Sequence, residues 1–191
     1  MYDYITIERQ YGSGGQEIAA ELAKRLQYRL YDHQVVVETC KRMDISYDMV
    51  SSMDEKNPIK PIFKAPGNEH LTLQEQIYNT EKEIIRDAAE TPGCIFVGRS
   101  ASEILSDKKC LKVFITASPS YRMERALHVE NLSEDKAEDV MRKFDKQREK
   151  FFETHTGAKW GSPTYFDLIL NSGALGKEAC VMILEQLVRN E

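Results

Sequence analysis

Tyr4-Ile5-Thr6-Ile7 leads through Glu8-Arg9-Gln10-Tyr11 into Gly12-Ser13-Gly14-Gly15, after which Ile18, Ala19, Leu22, Ala23 and Leu26 recur at i, i+1, i+4, i+5 and i+8. The first four residues are β formers, the glycines break the chain, and the later spacing lays one apolar stripe along a helix. A strand, a glycine turn and a helix start in that order present backbone N–H groups and the positive end of a helix dipole to an anion. Glycine also lets the main chain close on a phosphate with no Cβ in the way. A tight turn without a ligand is the alternative reading of the same residues.

Outward from that stretch, β-like runs alternate with helical patterns. Tyr28 to Tyr31 reads as a second strand ending at Asp32, with a helix over Val35 to Met43. Cys94 to Val97 is a buried run ending in Gly98-Arg99. Leu111 to Thr116 is another, followed by Ser118-Pro119, an N-cap with proline at the first helical position. Phe166 to Leu170 predicts a fifth strand before Asn171-Ser172-Gly173, and Lys177 to Val188 an amphipathic helix. Strands separated by helices imply βαβ crossovers, so the expected fold is α/β: a doubly wound, five-stranded, mainly parallel sheet flanked by helices.

Two segments interrupt the alternation. Asn57 to Asn68 holds Pro58, Pro61, Pro66 and Gly67, which excludes regular helix and predicts a mobile connection, and Leu71 to Ala89 beyond it has helical spacing. Residues 46–90 thus read as an insertion between the second and third strands. Ser133 to Glu153 reads as a long charged helix whose apolar positions Ala137, Val140, Met141, Phe144 and Phe151 share a face.

Composition narrows the classes. The 191 residues carry 26 Lys plus Arg against 31 Asp plus Glu, a formal net charge of −5, which argues against a coat for DNA or RNA but leaves room for a local cationic pocket. The longest apolar run, Ala179 to Leu184, is far short of a membrane span. No secretory signal is visible, and Cys40, Cys94, Cys110 and Cys180 form no Cys-x-x-Cys pair. The expectation is one cytoplasmic domain over residues 1–191, binding small nucleotides rather than a nucleic-acid polymer or a membrane; a homo-oligomer is left open. His33, His70, His128 and His155 lack zinc-ligand spacing.

In an open parallel sheet the strand C-termini share one edge, where ligands bind. That edge gathers Gly12 to Gln16, Asp32, Gly98-Arg99, Ser118 and Asn171-Ser172. Two phosphate-loop templates can be laid on the first loop. G-x-G-x-x-G needs a small residue at position 17, where Glu17 stands, although Asp32 lies at the distance of a ribose-binding acid. G-x-x-x-x-G-K-[ST] starts at Arg9, reaches Gly14, and then demands Lys and Ser or Thr where the chain has Gly15 and Gln16. Neither template is satisfied.

Ile5-Thr6-Ile7-Glu8-Arg9-Gln10-Tyr11-Gly12-Ser13-Gly14-Gly15-Gln16-Glu17-Ile18-Ala19, running on to Leu30-Tyr31-Asp32, resembles the opening of the cytidylate kinase-like family, a branch of the nucleoside monophosphate kinases with the P-loop NTPase fold. The likeness continues through Val97-Gly98-Arg99-Ser100-Ala101, Lys112 to Pro119 with Arg122 and Arg125, Asp145-x-x-Arg148, and Tyr165 to Asn171.

The resemblance implies an ATP-dependent phosphotransferase with Mg²⁺, acting on a nucleoside monophosphate such as CMP or dCMP. Its core would be residues 1–45, 91–120 and 160–191, with an acceptor-binding insertion at about 46–90 and a lid at about 121–159. Gly12, Ser13, Gly14, Gly15 and Gln16 would cradle the donor phosphates. Asp32 would face the acceptor or its metal, Arg99 would hold the acceptor phosphate, and Ser100 stands where cytidylate kinases carry Asp. Arg122, Arg125 and Arg148 would belong to the lid. The family branch lacks the phosphate-loop lysine, so Arg9 is the nearest compensating cation. With no Ser or Thr for Mg²⁺, the metal falls to Glu17, Glu8 or Asp32.

Plainer readings stand beside these. Arg142, Lys143, Lys146 and Lys150 read as a solvated helix face, and Glu17 as a first-turn acid favourable to the helix dipole. Trp160 and Tyr165 read as packing anchors. Two rival functions are carried: a nucleotide-binding module without turnover, motivated by the missing Lys, and a nicotinamide-dependent oxidoreductase, resting on Gly12, Gly14 and Asp32.

Overall fold

The computed structural model describes residues 2–50 and 71–189. Five parallel strands, β1 (Tyr4–Arg9), β2 (Arg29–Tyr31), β3 (Cys94–Val97), β4 (Cys110–Thr116) and β5 (Leu168–Asn171), form one sheet in the order β2-β3-β1-β4-β5. Ile7 lies opposite Val97 on one side and Val113 on the other, so β1 is central.

Alternation along β1 sends Ile5 and Ile7 to one face of the sheet. There they meet Ile18, Ala19 and Leu22 of α1 (Gly15–Leu26) and Val181 and Leu184 of α8 (Lys177–Arg189). Toward the other face, Phe114 of β4 stacks its aromatic neighbours Phe152 and Phe166 into a second cluster, edged by Trp160 and Tyr165. Phe152 comes from α6 (Glu134–Thr156), which starts after Ser133 and stops at the left-handed Gly157. Ahead of α6 lies α5 (Pro119–His128), capped by the Ser118 hydroxyl on the Tyr121 N–H, with Pro119 in its first turn. The single turns α4 (Ala101–Ile104) and α7 (Ser172–Leu175) follow β3 and β5.

The chain divides into two compact units, Met1–Tyr31 with Thr91–Glu191, and Asp32–Glu90. The second holds α2 (His33–Met43) and α3 (Leu73–Ala88). Val36, Val50 and Ile77 form its core, and α3 opens with a capping box between Thr72 and Glu75. The proline-rich connection expected over Asn57 to Asn68 lies outside the described residues.

Two strand boundaries differ by two residues from the sequence expectation, and the others agree to within one. β1 runs two residues past Ile7, because Glu8 and Arg9 continue the ladder opposite Phe114 and Ile115. β5 begins at Leu168 rather than Phe166. Phe166 is drawn into the aromatic cluster, and Asp167 closes a local pair with Lys112: its N–H donates to the Lys112 carbonyl at 2.9 Å, and its carboxylate accepts the Lys112 N–H at 2.8 Å.

Candidate functional site

The loop between β1 and α1 is held from behind. The Gln10 N–H donates to the Ile115 carbonyl at 3.0 Å, and the Gln10 side-chain oxygen accepts from Thr116 Oγ1 at 2.5 Å and from the Ala117 N–H at 3.3 Å. Ser172, the first residue after β5, donates its hydroxyl to the Ser13 carbonyl at 2.6 Å. Ser13 is turned inward: its N–H and Oγ both go to the Gln10 carbonyl, at 3.3 and 2.8 Å. Of the residues expected to cradle phosphate, Ser13 therefore supports the turn, while Gly12, Gly14, Gly15 and Gln16 line the open side.

Gly12 is required twice over, by a φ of +72° and by a neighbour. A Cβ there would lie 2.7 Å from the Arg122 carbonyl oxygen, so only glycine lets α5 approach this closely. Arg122 itself is spoken for. Its guanidinium pairs with Asp145 and donates to the Tyr11 carbonyl at 3.2 Å, and Asp145 also accepts the Tyr11 N–H at 2.7 Å. That arrangement ties α5 and α6 to the loop and uses Arg122 as a clamp.

In front of the loop is a cleft of about 120 Å³. Its wall contains Arg9, Arg125 and Arg148 beside the glycines, with Glu17 and Glu130 as acids. The amides of the first turn of α1 face out of the helix end, where a helix carries partial positive charge. Arg125 forms an ion pair with Glu17, Arg148 donates to the Arg9 carbonyl at 3.2 Å, and the Arg148 guanidinium lies 5.8 Å from the centre of the Tyr11 ring. Burial and the nearby Glu130 carboxylate hold the Tyr11 phenol above its usual range.

Beside β1, the turn after β3 is unusual. Gly98, Arg99 and Ser100 have φ values of +75°, +60° and +49°, three left-handed residues in a row of which only the first is glycine. Such backbone costs about 1–2 kcal/mol per non-glycine residue and persists only where surroundings impose it. Arg99 reaches over the Phe151 ring, 5.5 Å from its centre, and Ser100 is fully buried with its hydroxyl oxygen unsatisfied. Asp32 follows β2 directly and stands at the N-cap position of α2 in the second unit.

The sequence marks Glu8 only as a candidate metal ligand. Glu8 is a buried side chain at the end of β1, on the face away from Ile5 and Ile7. Burial pushes its carboxyl above the usual range, opposed by Arg9, by the Trp160 indole, by Arg148 and by Arg99. The indole N–H favours the ionised form from nearby without reaching hydrogen-bond geometry. One buried carboxylate thus lies within electrostatic reach of three of the arginines singled out from sequence. The signal for it was an acid continuing the Tyr4, Thr6 side of a buried strand.

Among the described residues, no group of three or more His, Cys, Asp or Glu side chains could hold a metal ion. Mg²⁺ commonly binds through nucleotide phosphates, waters and one carboxylate. The donors in the cleft wall, Glu17 and Glu130, fit that mode and not a protein cage.

The model of the cytidylate kinase-like family matches residues 4–174. No curated protein matches the chain. Among solved structures, an uncharacterized protein from Eubacterium ventriosum is similar over 98% of this chain and 99% of its own, with a TM-score of 0.74 and 22% identity. Shikimate kinase from Bacteroides thetaiotaomicron is similar over 98% and 99%, with a TM-score of 0.59 and 14% identity. Shikimate kinase from Acinetobacter baumannii, in complex with shikimate, is similar over 100% and 94%, with a TM-score of 0.57 and 11% identity. These likenesses carry the fold, and the family match spans the chain from β1 into α7. A glycine turn braced from behind, at the carboxyl edge of an all-parallel sheet, is where a P-loop kinase fold places its phosphate loop, and the chain belongs to the cytidylate kinase-like family.

Proposed function

We propose that the protein is an ATP-dependent phosphotransferase that passes the γ-phosphoryl group to a nucleoside monophosphate, with CMP or dCMP as the favoured acceptor. The observation that carries this reading is the convergence of Arg9, Arg125 and Arg148 with Gly12, Gly14 and Gly15 on one cleft. Backbone amides and guanidinium groups together suit a polyphosphate better than any neutral ligand.

In this reading the amides of residues 14–16 grip the donor phosphates, and Arg9, Arg125 and Arg148 neutralise the charge on the transferred group. An oxygen of the ionised acceptor phosphate forms a bond to the γ-phosphorus while the bond from that phosphorus to its bridging oxygen breaks. The electron pair leaves with ADP. No proton has to move, so alignment and charge neutralisation are the protein's whole task. Glu17, released from Arg125, is the carboxylate for a Mg²⁺ brought in by the nucleotide, with Asp32 as the other candidate; the ion would add charge neutralisation at the phosphate oxygens. Arg99 holds the acceptor phosphate, and Asp32 and Ser100 contact the rest of the acceptor. Residues 46–90 bind the acceptor, and 121–159, clamped to the loop through Arg122 and carrying Arg125 and Arg148, form the lid within one cytoplasmic enzyme.

The test is ADP release across a panel of nucleoside monophosphates and non-nucleotide hydroxyl acceptors, with and without Mg²⁺. Turnover highest with CMP or dCMP supports the reading. ATP binding without transfer to any acceptor would favour a nucleotide-binding module, the reading motivated by glycine in place of the phosphate-loop lysine.

A further inference from the structure

The mononucleotide template puts glycine at position 9 and lysine at position 15, and this chain has arginine at 9 and glycine at 15. The structure shows why the two changes belong together. A Cβ built on Gly15 would lie 2.7 Å from Arg9 Cβ, closer than real Cβ atoms come to a neighbour, and 3.1 Å from Arg9 Cγ, a contact tight enough to force a shift. A side chain at 15 and a side chain at 9 therefore compete for one space, and here the strand end holds it. From there the Arg9 chain runs toward the turn after β3: a Cβ on Gly98 would come within 2.5 Å of Arg9 Nη1. Two glycines, one at each end, leave room for a single arginine.

We propose that Arg9 and Gly15 are an exchange of cation and glycine within the phosphate loop, so that the charge facing the donor's terminal phosphate enters from β1 instead of from α1. This rests on the phosphotransferase reading and adds a consequence. Because its guanidinium lies against Gly98, next to Arg99, Arg9 stands between the donor loop and the residue assigned to the acceptor. A planar fork there can bond oxygens of two different phosphates at once, whereas an ammonium on α1 acts as a point charge. The ligand class is a polyphosphate chain whose end lies opposite a second anionic group.

A purely space-filling role for Arg9 makes different predictions, and four variants separate the two. Arg9→Met keeps the stem and removes the charge; Arg9→Lys keeps the charge. Arg9→Gly empties the space, and Arg9→Gly with Gly15→Lys rebuilds the ordinary template. Binding of ATP and of inorganic tripolyphosphate is measured by calorimetry, with a thermal melt on each variant. The exchange predicts that Arg9→Met and Arg9→Gly weaken tripolyphosphate at least tenfold, that Arg9→Lys stays within about fivefold of the wild type, and that the double variant binds at least fivefold better than Arg9→Gly alone. Arg9→Met binding as tightly as the wild type overturns the exchange and leaves the phosphotransferase reading standing. Wild-type protein that binds neither ligand overturns both. Should the double variant fail to fold, the Met and Lys variants alone decide the outcome.

Discussion

Gly15→Ala puts one methyl group where the structure has no space for it. The new Cβ would meet Arg9 Cβ at 2.7 Å and Ile115 Cβ at 3.3 Å, and neither is the far end of a flexible chain. Gly15 begins α1 with no left-handed φ, so the backbone itself accepts alanine, and helix propensity alone would favour the change by up to about 1 kcal/mol. Overpacking a tight contact costs about 1–3 kcal/mol, and the middle of that range, about 2 kcal/mol, less that gain leaves a net loss of about 1–2 kcal/mol. For a chain of this size the loss lowers the melting temperature by about 2–8 °C. Arg9→Gly should relieve the clash, so in a double-mutant cycle the pair is less damaging than the sum of the singles, by about 1 kcal/mol. Thermal and urea denaturation of the four proteins measure this directly. An alanine variant as stable as the wild type, or a cycle that is additive, would refute the idea that residues 9 and 15 share one space.

Other consequences are equally open to measurement. Glu8→Gln should change the pH dependence of stability. Burial raises the folded carboxyl pKa above its ordinary 4.5, so the native state binds more protons than the unfolded state between those two values, and stability falls as pH climbs through that window. Urea unfolding from pH 4.5 to 8 should show the Gln variant gaining on the wild type as pH rises; a difference independent of pH would contradict the assignment. Ser172→Ala removes the hydroxyl on the Ser13 carbonyl and should cost about 1–3 kcal/mol, read as a drop in urea midpoint with an unchanged m-value. Arg99→Ala should lower kcat/KM for the acceptor at least tenfold, about 1.4 kcal/mol of transition-state stabilisation, with the melting temperature held. Unchanged kinetics would remove Arg99 from the site.

Much of the fold was legible because local rules and tertiary packing agree. Alternation in Tyr4 to Ile7, the helical stripe from Ile18 to Leu26 and the Ser118-Pro119 cap each specify an element without reference to distant residues. Limits that a distant partner decides are not legible in the local sequence. Glu8 and Arg9 belong to the strand only because β4 continues opposite them, and Phe166 leaves β5 because Phe114 and Phe152 receive it. Within the site, the glycine turn and its arginines could be found from type and order, yet not their division of labour. Arg122 is committed to Asp145, twenty-three residues away, and Arg125 to Glu17, 108 residues away, separations that no local pattern reveals. Left-handed Arg99 and Ser100 were likewise invisible, since nothing in their side chains favours that backbone.

In the proposed enzyme, amides of the first turn of α1, with Arg9 beside them, hold a polyphosphate although position 15 carries no lysine. A crystal structure of the wild-type protein with a non-hydrolysable ATP analogue tests it most directly. The β- and γ-phosphates should be seated against Gly14, Gly15 and Gln16, with the Arg9 guanidinium within about 3 Å of a γ-oxygen. Phosphates bound elsewhere, or seated in the loop with Arg9 turned away from them, would contradict it.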